Sequence, residues 1–159
     1  MSIVLRPIAD ADLDRVFAWE QDADAVEMAA FTRADPSDRV AFDAHNARVA
    51  ADPANTRLAI EDDGVLVGTI ASFWMEGERE VSYWIDPARW GHGIASAALR
   101  EFLIVETTRP LRGRVAAHNG GSATVLERAG FVRVGEETAY AEGVGHEVVE
   151  LVYRLDGPG

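Results

Sequence analysis

The chain has 159 residues and a mass of 17.3 kDa, a length that suits one compact core. Hydrophobic residues make up 48% and charged residues 26%, which excludes wholesale disorder. Fifteen basic residues against 27 acidic ones give a net charge of −12, which argues against a nucleic-acid partner and is compatible with a cationic substrate. Every basic residue is arginine. A composition rich in Ala, Asp and Val and lacking Lys is what GC-rich coding produces, and it accounts for the acidity as well as function does. With no cysteine there is no disulfide, thiolate metal site or cysteine nucleophile. No apolar run approaches about 18 residues, and Met1 to Pro7 lacks the features of a secretory signal. The expectation is a cytoplasmic protein with no membrane contact.

Ser2 to Arg6 alternates as a short strand ended by Pro7. Asp10 can cap a helix carrying Leu13, Val16 and Phe17 on one face, and Trp19 to Thr32 is ambiguous, short and Ala-rich with Met28 and Phe31 apolar. Asp35-Pro36 opens a helix over about Ser37 to Ala50 with a weak apolar stripe. Arg57 to Glu61 and Val65 to Met75 form a hairpin about Asp63-Gly64. A turn at Glu76-Gly77-Glu78 leads to a third strand, Glu80 to Ile85. A helix starting near Gly93 places Ala95, Ala98, Leu99 and Phe102 on one face. Arg112 to Ala116 is a short strand. Asn119 to Ala129 is a helix closed by Gly130, with Phe131 set to fold back on its last turn. Phe131 to Thr138 and Glu147 to Leu155 are the final strands. The order β-α-α-β-β-β-α-β-α-β-β predicts an α+β fold with a mostly antiparallel sheet, not a doubly wound one. Residues 1–155 read as one domain and 156–159 as a mobile tail.

The segment Tyr83-Trp84-Ile85-Asp86-Pro87-Ala88-Arg89-Trp90-Gly91-His92-Gly93-Ile94-Ala95 runs from a strand through a glycine turn into a helix. The first amides of a helix lack internal partners and carry the positive end of its dipole. Glycines beside them admit a phosphate, so the amides of His92, Gly93, Ile94 and Ala95 suit a pyrophosphate without any lysine. A Gly-x-Gly turn also forms for purely conformational reasons. A Walker loop is excluded by the lack of Gly-Lys-Ser/Thr, and the dinucleotide fingerprint lacks its third glycine.

A second strand-loop-helix segment, Asn119-Gly120-Gly121-Ser122 through Ala129-Gly130-Phe131, begins 26 residues after Gly93. Together the two segments resemble the GNAT superfamily of acyl-CoA-dependent N-acetyltransferases, and more narrowly its branch of ribosomal-protein-alanine N-acetyltransferases. The motifs in register cover about Leu58 to Leu155, and the element order extends the likeness to the whole chain. Trp90 stands where the family commonly has Gln or Arg, and His92 where Lys is frequent. Leu126 occupies the position of the tyrosine that many relatives use as general acid.

The resemblance implies acetyl-CoA as cosubstrate, no metal, and direct transfer of the acetyl group to a primary amine, either a protein N-terminus or a small molecule. It implies a bulge in the strand before the glycine turn that exposes the backbone of Trp84 and Ile85 to pantetheine, although Tyr83, Trp84 and Ile85 also read as ordinary core residues. Gly91 to Ser96 would bind the pyrophosphate, with Arg89 and Arg128 either reaching a phosphate or standing as solvated surface arginines. Asn119 is a pantetheine ligand or a helix cap. Ser122 is a relay toward the leaving thiolate or a serine satisfied by local backbone. The base is Glu80, which opens the strand leading to the turn, or Glu142, near a glutamate position between the last two strands of the ribosomal-protein enzymes; either also reads as a solvated carboxylate.

Trp19, Met28, Phe31, Phe73, Trp74 and Tyr140 could wall an acceptor site, with Asp22, Asp24, Glu27 and Asp35 supplying negative potential. His45, His118 and His146 are scattered, without metal-ligand spacing. The alternative to catalysis is an inactive acyl-CoA-binding sensor or interaction module on the same fold. The expected assembly is a monomer or homodimer.

Overall fold

The computed structural model describes residues 1–157. Of the expected tail, 158–159 lie outside the described residues, while Asp156 pairs with Arg154 (Nε–Oδ1 2.8 Å). The strands are β1 (Ile3–Pro7), β2 (Thr56–Asp62), β3 (Val65–Met75), β4 (Glu78–Ile85), β5 (Leu111–Ala116), β6 (Val132–Ala141) and β7 (His146–Leu155). The helices are α1 (Leu13–Trp19), α2 (Ala23–Ala29), α3 (Arg39–Ala51), α4 (Ile94–Val105) and α5 (Gly120–Arg128).

One seven-stranded sheet runs in the order β1-β2-β3-β4-β5-β7-β6. Every neighbouring pair is antiparallel except β4–β5. This is the mostly antiparallel α+β sheet expected from the sequence, with one helix added. The segment that gave no pattern contains α2, seven residues capped by Asp22, whose carboxylate accepts from the Ala25 amide at 2.8 Å. A helix of two turns is too short to establish a 3.6-residue stripe, so its cap and its packing decide it.

Alternation along β4 and β5 divides the sheet into two faces. Val81, Leu111 and Val115 join Ile94, Ala98, Leu99 and Phe102 of α4 and Leu126 of α5 in the larger core. Phe102 is fully buried there, so truncation to Ala costs about 3–5 kcal/mol. On the other face Ala59, Leu66 and Trp84 meet Val16, Trp19 and Phe42 of α1 and α3. A third, small cluster of Ala30, Ala116, Ala141 and Val148 seats the end of α2 on the sheet.

The helix stops match their sequence signals. Gly130 (φ +98°) and Phe131 close α5: Gly130 N–H donates to Glu127 O at 3.0 Å and Phe131 N–H to Leu126 O at 3.0 Å, with Phe131 buried. That is the Schellman pattern, in which the residue beyond the glycine folds onto the last turn. Among the described residues no helix is long and apolar enough to cross a membrane.

Candidate active site

The central feature is the divergence of β4 from β5. Their parallel ladder covers only Arg79↔Leu111, Glu80↔Arg112 and Val81↔Gly113. Beyond it, Ser82 to Ile85 keep β3 as partner on one side and have no strand on the other. The expected bulge is not what opens this edge. The β3–β4 register is regular from Gly68↔Ile85 to Met75↔Glu78, and the register shifts fall at Ile60/Glu61 and Arg133/Gly135. Gly68 permits the regular pairing, since a Cβ there would lie 2.6 Å from Trp84 O. The free edge therefore comes from two parallel strands parting, which leaves ladder groups available near a cleft.

Into the parting opens a cleft of about 540 Å³, the size of a small-molecule site. Two helix N-termini, of α4 and α5, face it from the same side. Gly93 caps α4 in the left-handed region (φ +76°), and Gly91 has φ +81°. A Cβ on either would meet no atom within 4 Å, so neighbouring side chains do not require these glycines. The turn requires them for backbone conformation, and the space before them stays open. Gly93 O accepts from Ala97 N–H at 3.1 Å, while the amides of Ile94, Ala95 and Ser96 have no carbonyl four residues back within the helix. These groups fit a phosphate-bearing ligand by charge and by space.

The cleft brings together Trp84, Ile85, Arg89, Gly91, Gly93, Ile94, Ala95, Ser96, Asn119, Ser122 and Arg128. His92 is not among its lining residues; its ring is exposed, with Nδ1 3.0 Å from Arg89 O. Trp90 does line the cleft, and its indole N–H donates to Ile85 O at 3.2 Å. The departure from Gln or Arg at this position thus ties the glycine turn back to the end of β4. Asn119 acts as the N-cap of α5, accepting from Ser122 N–H at 3.1 Å through Oδ1 and leaving its amide NH₂ for a ligand.

Glu80 and Glu142 do not line the cleft. Glu80 is buried on the opposite sheet face from α4 and α5. Its Oε1 accepts from Arg112 Nη2 (2.7 Å) and from Arg114 Nε (2.9 Å). Arg114 also reaches Glu137 and Glu150, and Arg112 reaches Glu78. The parallel register explains the cluster, because it sets Glu80 directly opposite Arg112. Glu142 is an exposed residue just past the end of β6. Of the proposed acceptor wall, Met28 lines the cleft, Trp19 is core and Trp74 is exposed beneath the Arg79 guanidinium. Asp22 caps α2, and Asp35 accepts from the Ser37 amide and hydroxyl in the turn before α3, whose own cap is Asp38.

The sequence reading missed two contributions. The first is α2, which supplies Ala25, Met28 and Ala29 as one wall of the cleft. The second is Tyr83, taken as a core residue. Its hydroxyl lies 2.8 Å from Ser122 Oγ, and burial pushes its pKa up to about 12. The signal was the alternation of β4, which puts Tyr83 and Ile85 on the α5 side and Trp84 on the other.

Residues 2–132 match the family model described as an acetyltransferase (GNAT) domain. The chain belongs to that family. It is an N-acetyltransferase by membership, and its divergent strands, glycine turn and capped α5 are the parts that carry the motifs. None of the curated proteins compared matches it in sequence. Among solved structures it is similar to Mycobacterium smegmatis RimJ in complex with CoA-disulfide, with a TM-score of 0.82 and 22% identity over 98% of this chain and 82% of that one. It is also similar to spermidine N-acetyltransferase from Vibrio cholerae in complex with CoA and spermine (TM-score 0.77, 18% identity, 96% and 95% covered). A third is the ribosomal-protein-alanine N-acetyltransferase from Brucella melitensis (TM-score 0.73, 23% identity, 97% and 99% covered). These likenesses establish the fold.

Proposed function

We propose that this GNAT acetyltransferase moves an acetyl group from acetyl-CoA directly to a primary amine. The observation that carries the reading is the cleft itself: one open strand edge and two helix N-termini converge where glycines keep side chains away. The CoA complexes of two of the similar structures support the donor, and the spermidine and ribosomal-protein alanine named by two of them support the acceptor class.

The bound cosubstrate supplies an acetyl thioester, an electrophile that needs no metal or covalent enzyme intermediate. The chain's own groups do the rest. Amides of Ile94 to Ser96 hold the pyrophosphate, with Arg89 and Arg128 at the rim of the same cleft. The free edge of β4 from Ser82 to Ile85 receives the pantetheine arm and orients the carbonyl toward an N–H donor. Asn119 fixes the first turn of α5, which aims Ser122 and the positive end of that helix at the departing sulfur. With Glu80 held by two guanidinium groups and Glu142 outside the cleft, the amine loses its proton through water and backbone carbonyls at the cleft mouth.

The test is a thermal-shift titration with acetyl-CoA, followed by thiol release over a panel of polyamines, amino acids and N-terminal peptides. Saturation at a hundredfold excess over Kd is expected to stabilise the fold by about 2.7 kcal/mol. Absence of any shift overturns the donor, and a shift without thiol release from any amine overturns catalysis.

A further inference from the structure

Tyr83 on β4 and Ser122 on α5 are 39 residues apart in sequence, and their hydroxyls meet inside the cleft at 2.8 Å. The phenol comes from the stretch of β4 that has left β5, and the serine from the first turn of α5. Ser122 is fixed by its backbone, because its N–H is already donated to Asn119 Oδ1. The phenol also lies 3.3 Å from Ser122 O, a longer contact than the 2.8 Å to Oγ, so Oγ is the better placed acceptor of its one proton.

Burial keeps the phenol protonated at every working pH, with its pKa pushed up to about 12. It is therefore a standing donor and not an acid that titrates during turnover. A phenol that donates to Ser122 Oγ, the nearer of its two acceptors, takes one of that oxygen's two lone pairs and turns the serine O–H away from Tyr83. Among the described residues no acceptor other than Tyr83 pairs with Ser122 Oγ, so the freed O–H is available to a group in the cleft.

The geometry points to Tyr83 as a positioning residue that holds the Ser122 O–H toward the sulfur leaving the acetyl donor. The inference rests on the acetyltransferase reading above. In the step concerned, the amine lone pair forms the N–C bond and the C–S bond breaks with its electron pair on sulfur. Ser122 supplies a hydrogen bond to that sulfur. The proton lost by the amine balances the thiol formed, and Tyr83 keeps its own proton throughout. The position in α5 where many relatives carry a tyrosine is Leu126 here, so the phenol of this pair comes from β4 instead.

The experiment is a double-mutant cycle of Tyr83→Phe and Ser122→Ala, with acetyl-CoA affinity, kcat and KM measured for each variant with one amine. Tyr83→Phe is expected to lower kcat about tenfold, the lower end of an acid–base contribution, while Kd for acetyl-CoA stays within about twofold. In the Ser122→Ala background the same change is expected to cost nothing further, because its route runs through the serine. Neither variant is expected to add a new limb to the pH profile between about pH 6 and 10, given the displaced phenol. An unchanged kcat in Tyr83→Phe, or losses that multiply in the double variant, overturns the inference and leaves the acetyltransferase reading intact. A wild-type chain that binds no acetyl-CoA or releases no thiol overturns both. If Tyr83→Phe does not fold, Ser122→Ala decides alone: full kcat in that variant overturns the inference.

Discussion

The amide of Gly143 donates to the carbonyl of Ala30 across 2.8 Å, joining the β6–β7 turn to the end of α2. Ala30 is fully buried at φ 64° and ψ −55°, with Phe31 N–H donating to Ala29 O at 2.7 Å around it. This is a three-residue turn of the strained hand, and an alanine holds it only because its surroundings impose it. A Cβ on Gly143 would lie 2.5 Å from Val26 O and 2.8 Å from Ala30 O. Gly143→Ala is therefore expected to push α2 outward, lowering stability by about 1–3 kcal/mol and raising KM for the amine more than Kd for CoA. Thermal melts beside steady-state kinetics check both. A melting temperature equal to wild type would mean the turn yields freely.

Gly120 gives a cleaner probe of the proposed CoA cleft than Gly93. Gly93 and Gly91 have positive φ, so any side chain there strains the loop, whether or not a ligand needs the space. Gly120 is the first residue of α5, lines the cleft and has no atom within 4 Å of a built Cβ. Gly120→Val is expected to keep the melting temperature of the free protein within a few degrees and to weaken acetyl-CoA at least about tenfold, or ~1.4 kcal/mol. Isothermal titration measures it. Unchanged affinity would move the ligand away from the start of α5.

Glu80→Gln is expected to act on the fold and not on the pH profile. It removes the charge between Arg112 and Arg114 while retaining one acceptor. The two arginines keep Glu78, Glu137 and Glu150, so the loss is about 1–3 kcal/mol, less than for an orphaned buried ion. The acidic limb of kcat/KM is expected to keep its midpoint, measured with the same amine. Loss of that limb would restore Glu80 as the base.

The ion pair of Arg79 and Glu106 (2.6 Å), both buried, locks the start of β4 to the end of α4. Burial by itself would raise the Glu106 pKa, but hydrogen bonds from Ser72 and Arg79 outweigh it, and the net shift is downward. A carboxyl held low in the folded state adds stability that is complete above its ordinary value. That stability is lost as pH falls through the folded value. Glu106→Gln is thus expected to destabilise by about 3–5 kcal/mol at neutral pH, with the gap to wild type closing in acid. Urea midpoints at pH 7 and pH 3 test the sign. A gap that widens in acid would contradict it.

Much of the cleft was legible because its parts are local. The glycine turn, the Asn119 cap and the Ala129-Gly130-Phe131 stop each depend on conformational preferences within a few residues, and those preferences are written in residue type. The alternation of β3 and the four apolar positions of α4 fixed the strands and helix that carry them. What the sequence alone determined is the order of the strands and of every helix but the short α2, the glycine-turn helix start and, through two motifs in register, the family. Tertiary structure decided the rest because it depends on partners distant in the chain. Glu80 looked free until parallel pairing set Arg112 opposite it and Arg114 one pleat along. Tyr83 looked like core until α5 brought Ser122 within hydrogen-bond distance. The short α2 became a wall only through its contact with a turn more than a hundred residues away, and β4 opened by leaving β5, not by a bulge of its own. A residue's local pattern sets which way its side chain points. Only the packed sheet sets what it meets there.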